Sequence, residues 1–110
     1  MASKGTPKFI VQRCSAVMLL PLTVWFLISL IGNAGAGYLD MRAWLSAPLN
    51  AIIMFLLIII GTVHMRIGMS EIIEDYIGRD IRPILMLLNT AFAVLIAIIS
   101  AWSVLTLAFL

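Results

Sequence analysis

Three long apolar runs, each bounded by short polar clusters, divide the chain. No charged residue interrupts the first, from Ser15 to about Tyr38. The second passes through Ile52–Ile60 and His64 toward Met69, and the third runs uncharged from Ile84 to the chain's last residues. Each is long enough for the ~20 residues that a helix needs to cross a ~30 Å hydrocarbon core. A backbone crossing lipid must satisfy its own hydrogen bonds, so the runs read as helices. The pattern predicts an all-α membrane protein with spans at about 15–38, 47–70 and 84–109. The second span continues as helix to about Tyr76 through SEIIEDY.

The punctuation supports these boundaries. Ser46 is an expected N-cap with Pro48 in the first helical turn, Gly78 is a natural stop, and Pro83 is an early position of the third span. Pro21 falls inside the first span and removes one backbone hydrogen bond there. Leu39–Ser46 reads as a connector carrying Asp40, Arg42 and Trp44, and Tyr38 sits where an interfacial anchor belongs. Ala93, Ala97 and Ala101 recur every four residues, a stripe that lets another helix approach closely. Residues 1–14 form a basic arm with Lys4, Lys8 and Arg13, and residues 15–110 form one membrane domain.

Composition leaves no material for a soluble domain: 64% of the 110 residues are hydrophobic and only 11% are charged, against roughly 25% in soluble proteins. The net charge of +2 reports orientation rather than nucleic-acid binding. Lys4, Lys8, Arg13, Arg66, Arg79 and Arg82 fall on one side of the predicted spans and Arg42 alone on the other. The positive-inside rule therefore puts the N-terminus and the second loop in the cytoplasm, with the C-terminus outside. The single cysteine, Cys14, rules out an internal disulfide and any CxxC motif, and reads as a buried or interfacial thiol. The first run also mimics a secretory leader, with Ala34-Gly35-Ala36 as a cleavage-like site, but it is longer than the usual 7–15 residues.

The one histidine, His64, carries the chemistry. An ionisable residue inside a membrane span is costly without a partner, and marks metal, haem or proton chemistry by default. One histidine cannot build a zinc or protease site. At 100° per residue, His64 and Asp75 lie ~20° apart after three turns, and Gly61, Gly68 and Glu71 fall within ~60° of the same direction. Glycines above and below a histidine leave a flat face that admits either a second helix or a planar macrocycle ligated by the imidazole. A histidine simply hydrogen-bonded to its neighbour helix also fits. With the span's midpoint near residue 58, His64 lies ~9 Å toward the cytoplasmic side, and Asp75 and Tyr76 lie ~17 Å beyond it. A phenol beside a carboxylate suits hydrogen bonding and proton delivery to a quinone carbonyl. It equally suits a solvated helix end, and Arg13 is either a span-flanking charge or a partner for an anionic group.

The string His64-Met65-Arg66-Ile67-Gly68-Met69, followed by Glu74-Asp75-Tyr76 and Pro83 on the second of three spans, resembles the hydrophobic membrane-anchor D subunits of succinate dehydrogenase, the succinate:quinone oxidoreductase of respiratory complex II. The resemblance implies that His64 is an axial ligand of a haem b iron, with the opposite ligand supplied by a second membrane anchor, the cytochrome b subunit. It implies that Tyr76 binds ubiquinone with Asp75 beside it, and that Arg13 lies near the haem propionates. FAD and iron–sulfur clusters would belong to a flavoprotein subunit and an iron–sulfur subunit docked on the cytoplasmic side, all parts of one hetero-oligomeric assembly. This chain departs from the pattern in the charged Gly78–Arg82 loop and in Arg66. A fumarate reductase anchor would share these features, whereas a small multidrug-type transporter of similar length would need a carboxylate in its first span. A purely structural assembly subunit would use His64 for packing alone. The lack of an Arg/Ser-rich presequence favours a bacterial inner membrane over a mitochondrial one.

Overall fold

The computed structural model describes residues 5–110, and side chains from Pro7 onward; Lys4 and the first residues of the basic arm lie outside the described residues. Four helices follow one another: α1 (Gly5–Gly32), α2 (Tyr38–Ser46), α3 (Pro48–Tyr76) and α4 (Arg82–Phe109). Among the described residues three helices are long and apolar enough to cross a membrane, at Pro7–Gly32, Pro48–Tyr76 and Arg82–Phe109. At ~1.5 Å per residue each is ~40 Å long, enough for the core and both headgroup layers. The bundle measures 50 × 27 × 22 Å. Most of its apolar surface faces outward, as lipid or partner helices require.

The long helix α3 is the centre of the arrangement: α1 packs along it, α4 packs along it, and the short α2 closes against α3 and α4. The alanine stripe explains one of these contacts. Of its members Ala93 is buried and Ala97 and Ala101 are half-buried, so α4 approaches α3 closely through small side chains. Polar groups secure the same interface: Asn89 Nδ2 donates to the Arg66 carbonyl at 2.9 Å, and Arg66 Nε donates to Thr90 Oγ1 at 3.2 Å. Arg66, unusual for its position by resemblance, is thus held against α4.

The first helix differs from the sequence expectation at both ends. It begins at Gly5, so the described part of the basic arm is a helical extension of the span. It ends at Gly32, six residues ahead of Tyr38, because the Asn-Ala-Gly-Ala-Gly tract cannot hold a helix as cheaply as branched apolar residues can. Gly35 adopts φ +85° there, a conformation glycine reaches without Cβ strain, and Asn33 Nδ2 caps the Ser29 carbonyl at 2.7 Å. Pro21 is accommodated inside α1 without ending it.

The expected connector 39–46 is itself a nine-residue helix, α2. Tertiary burial stabilises it: Leu45 is buried beside Ala51, Val104 and Ala108, and Trp44 stacks on Trp25 with ring centroids 5.6 Å apart. Ser46 does not cap the next helix. Its hydroxyl donates back to the Arg42 carbonyl at 2.7 Å, and the N-cap of α3 is Ala47, with Pro48 opening the helix. Serine's local back-bond to a preceding carbonyl competes with capping. At the other end α3 stops at Tyr76, and Arg82 clamps the loop by donating through Nη2 to the Ile77 carbonyl at 2.8 Å. Cys14 is exposed rather than buried, at a shallow groove shared by α1 and α3.

Candidate functional site

His64 lies where α1 crosses α3, and the glycines flanking it determine how close that crossing is. A Cβ on Gly68 would meet Gln12 Nε2 at 3.2 Å, and one on Gly61 would meet Leu19 Cδ2 at 3.9 Å. The flat face read from the sequence therefore receives a helix of the same chain. His64 is left half-buried at its edge.

One imidazole nitrogen is engaged there: Ser15 Oγ lies 2.9 Å from His64 Nδ1, and Ser15 itself is buried. The other nitrogen, Nε2, has no hydrogen-bond partner among the described residues. The ring borders two hollows that share His64 and Ala16. One, of about 360 Å³, is lined by Phe9, Gln12, Arg13, Ala16, His64 and Glu71. The other, of about 310 Å³, continues along α1 past Leu19, Leu20 and Thr23. A polar chamber and an apolar one thus meet at the imidazole.

Arg13 is brought to this site. It lines the polar hollow, and its guanidinium lies 5.1 Å from the centroid of the Phe9 ring, a cation–π contact that steadies it. Glu71, two turns beyond His64, lines the same chamber. The Lys8–Glu74 ion pair at 3.0 Å ties the first turns of α1 to the end of α3. Asp75 and Tyr76 are not brought to the hollow. Both are exposed at the last residues of α3, with Tyr76 81% exposed.

Sequence reasoning did not single out Ser15 or Gln12. Their signal was present as a polar row at helical spacing, Lys8, Gln12 and Ser15, on one face of an otherwise apolar helix. Gln12 Oε1 is buried without a partner among the described residues, so this chamber offers an unused acceptor beside a bare imidazole nitrogen and a cation. Among the described residues no three His, Cys, Asp or Glu side chains gather around one point. A metal at His64 would need ligands beyond those the described residues gather there.

Comparison with known proteins decides the family. The family model described as succinate dehydrogenase/fumarate reductase transmembrane subunit matches residues 2–107. The chain belongs to this family. It is similar to the succinate dehydrogenase hydrophobic membrane anchor subunit of Rickettsia bellii, 28% identical over 96 residues, covering 86% of this chain and 76% of that one. It is likewise similar to the subunit of the same name from Paracoccus denitrificans, 29% identical over 107 residues, covering 97% and 77%. The Rickettsia conorii subunit of that name is 25% identical over 95 residues. No solved structure matches significantly. Membership accounts for the whole three-span architecture and makes the chain a multi-pass membrane anchor subunit. The match runs through α1, which packs on α3 as part of the bundle, and the family replaces the transporter reading.

Proposed function

We propose that this anchor subunit, with a second membrane anchor, holds haem b through His64 and forms the ubiquinone-reducing site of a succinate dehydrogenase. The single observation that carries the proposal is the state of His64: Nδ1 is occupied by Ser15, and Nε2 is unpartnered beside two hollows. The residues suit the group. An imidazole has one nitrogen to give a metal while the other is oriented by a hydrogen bond, Arg13 at the rim suits a propionate, and the two hollows that meet at Ala16 and His64 leave room for a planar ring. A haem bound there would supply a one-electron couple inside the membrane, and because this chain has a single histidine any second histidine ligand would have to come from the partner anchor.

Quinone chemistry belongs to the end of α3. Reducing ubiquinone to the quinol takes two electrons, delivered by the iron–sulfur subunit, and two protons. Tyr76 donates its phenolic hydrogen bond to a quinone carbonyl oxygen, and Asp75 beside it accepts and returns protons from water. The exposure of both side chains suits a site completed by partner subunits. Orientation follows from charge: the basic N-terminal turns and the Arg79–Arg82 loop face the cytoplasm of a bacterial cell, where the iron–sulfur and flavoprotein subunits dock. The names of the relatives favour succinate oxidation over fumarate reduction as the working direction.

Purification of the intact chain from its native membrane tests this reading. The expected result is a pigmented complex with three larger partners that reduces ubiquinone with succinate. A pigment-free homodimer, or a complex far better at fumarate reduction with a low-potential quinol, would contradict it.

A further inference from the structure

Ser15 Oγ stands at the junction of two hydrogen bonds, 2.9 Å from the Gln12 carbonyl oxygen and 2.9 Å from His64 Nδ1. The hydroxyl is 94% buried by residue exposure, since Ser15 retains only 6% of its accessible surface, so water does not relieve an unfavourable arrangement there. A hydroxyl carries one proton and two lone pairs, whereas a backbone carbonyl only accepts. The Ser15 proton therefore goes to Gln12, three residues back along α1, in the local back-bond that serines make inside helices. What remains for Nδ1 is a lone pair. The opposite assignment, with the proton given to Nδ1, would leave two oxygens facing each other at 2.9 Å with no hydrogen between them.

We infer that Ser15 is a positioning residue that holds His64 in the tautomer protonated at Nδ1, leaving the Nε2 electron pair bare for ligation. The inference rests on the proposed role of His64 and goes beyond it in assigning the device that prepares the ligand. Free imidazole side chains favour neither nitrogen strongly enough to guarantee a metal-ready Nε2. Here the choice is made by another helix, across the α1–α3 crossing. A hydrogen bond accepted from Nδ1 also fixes the ring's orientation and strengthens the Nε2 lone pair as a donor to a metal. With haem bound, Ser15 would thereby favour the ferric over the ferrous form.

Because His64 is the single histidine, the tautomer can be read without assignment. The full chain, labelled with ¹⁵N at histidine and placed in lipid nanodiscs without haem, should show a protonated Nδ1 and an unprotonated Nε2 near neutral pH. In Ser15→Ala the Nδ1-protonated fraction should fall several-fold, and Ser15→Thr, which keeps the hydroxyl, should restore it. In the assembled complex, Ser15→Ala should retain low-spin haem but raise the ferrous-to-ferric ratio at fixed potential up to about tenfold, which for one electron is about 59 mV. A wild-type chain protonated at Nε2, or Ser15→Ala with wild-type ring shifts and wild-type haem poise, would overturn the inference. Low-spin haem surviving His64→Ala would overturn the ligation beneath it, and that result is read separately from the tautomer.

Discussion

Lys8 Nζ lies 3.0 Å from Glu74 Oε1, joining the first turns of α1 to the last turns of α3. The pair is separated by 66 positions in sequence, so it fixes how the two helices meet beyond the membrane-buried crossing. Both side chains retain solvent contact, which keeps the contribution small. Lys8→Ala should cost at most about 1 kcal/mol, and the loss should shrink as salt rises. Denaturation of the detergent-solubilised complex at low and high ionic strength measures it. A loss of several kcal/mol that ignores salt would contradict a simple surface pair.

Close packing of α4 on α3 depends on small side chains. Ala93 is 2% exposed at that interface, so Ala93→Leu should overpack it and cost about 1–3 kcal/mol, seen as a lower melting temperature and reduced assembly. Ala91→Leu, on the exposed side of the same helix, is the control and should change little.

The α1–α3 crossing depends equally on Gly68. Gly68→Ala asks only the flexible end of Gln12 to move by a few tenths of an ångström, and should be tolerated with a loss below about 1 kcal/mol. Gly68→Leu should force the helices apart at a cost of about 1–3 kcal/mol and lengthen the Ser15–His64 contact. Haem retention measured for the two variants should therefore separate: near normal for Ala, strongly reduced for Leu.

Tyr76→Phe removes one hydroxyl at an exposed helix end, where the fold places no demand on it. Succinate-driven quinone reduction should fall about tenfold, the equivalent of one lost hydrogen bond of ~1.4 kcal/mol. Succinate oxidation with a soluble dye acceptor should stay at the wild-type rate. Equal loss in both assays would assign Tyr76 to assembly instead.

These residues show what the sequence could and could not reveal. The three spans were legible because lipid demands long apolar runs, and the continuation of α3 to Tyr76 was legible because nothing between Met69 and Tyr76 breaks a helix. The end of α1 was not, since hydropathy does not distinguish the uncharged Asn33–Gly37 turn from a span. α2 was hidden for a related reason: its nine residues owe their helix to Leu45 burial and the Trp25–Trp44 stack, contacts made with distant parts of the chain. At the site, helical periodicity put Gly61, Gly68 and Glu71 on the His64 side of α3, and the structure shows α1 filling the glycine face. It could not pair His64 with Ser15, 49 positions away, because that contact exists only once two helices cross.

The most direct test is the optical and electron paramagnetic resonance spectrum of the purified complex carrying His64→Ala, compared with wild type. Wild type should show a low-spin haem b, and His64→Ala should lose those bands or convert them to a high-spin signal, with the partner subunits still assembled. An unchanged low-spin spectrum in His64→Ala would contradict the assignment of His64 as the haem ligand.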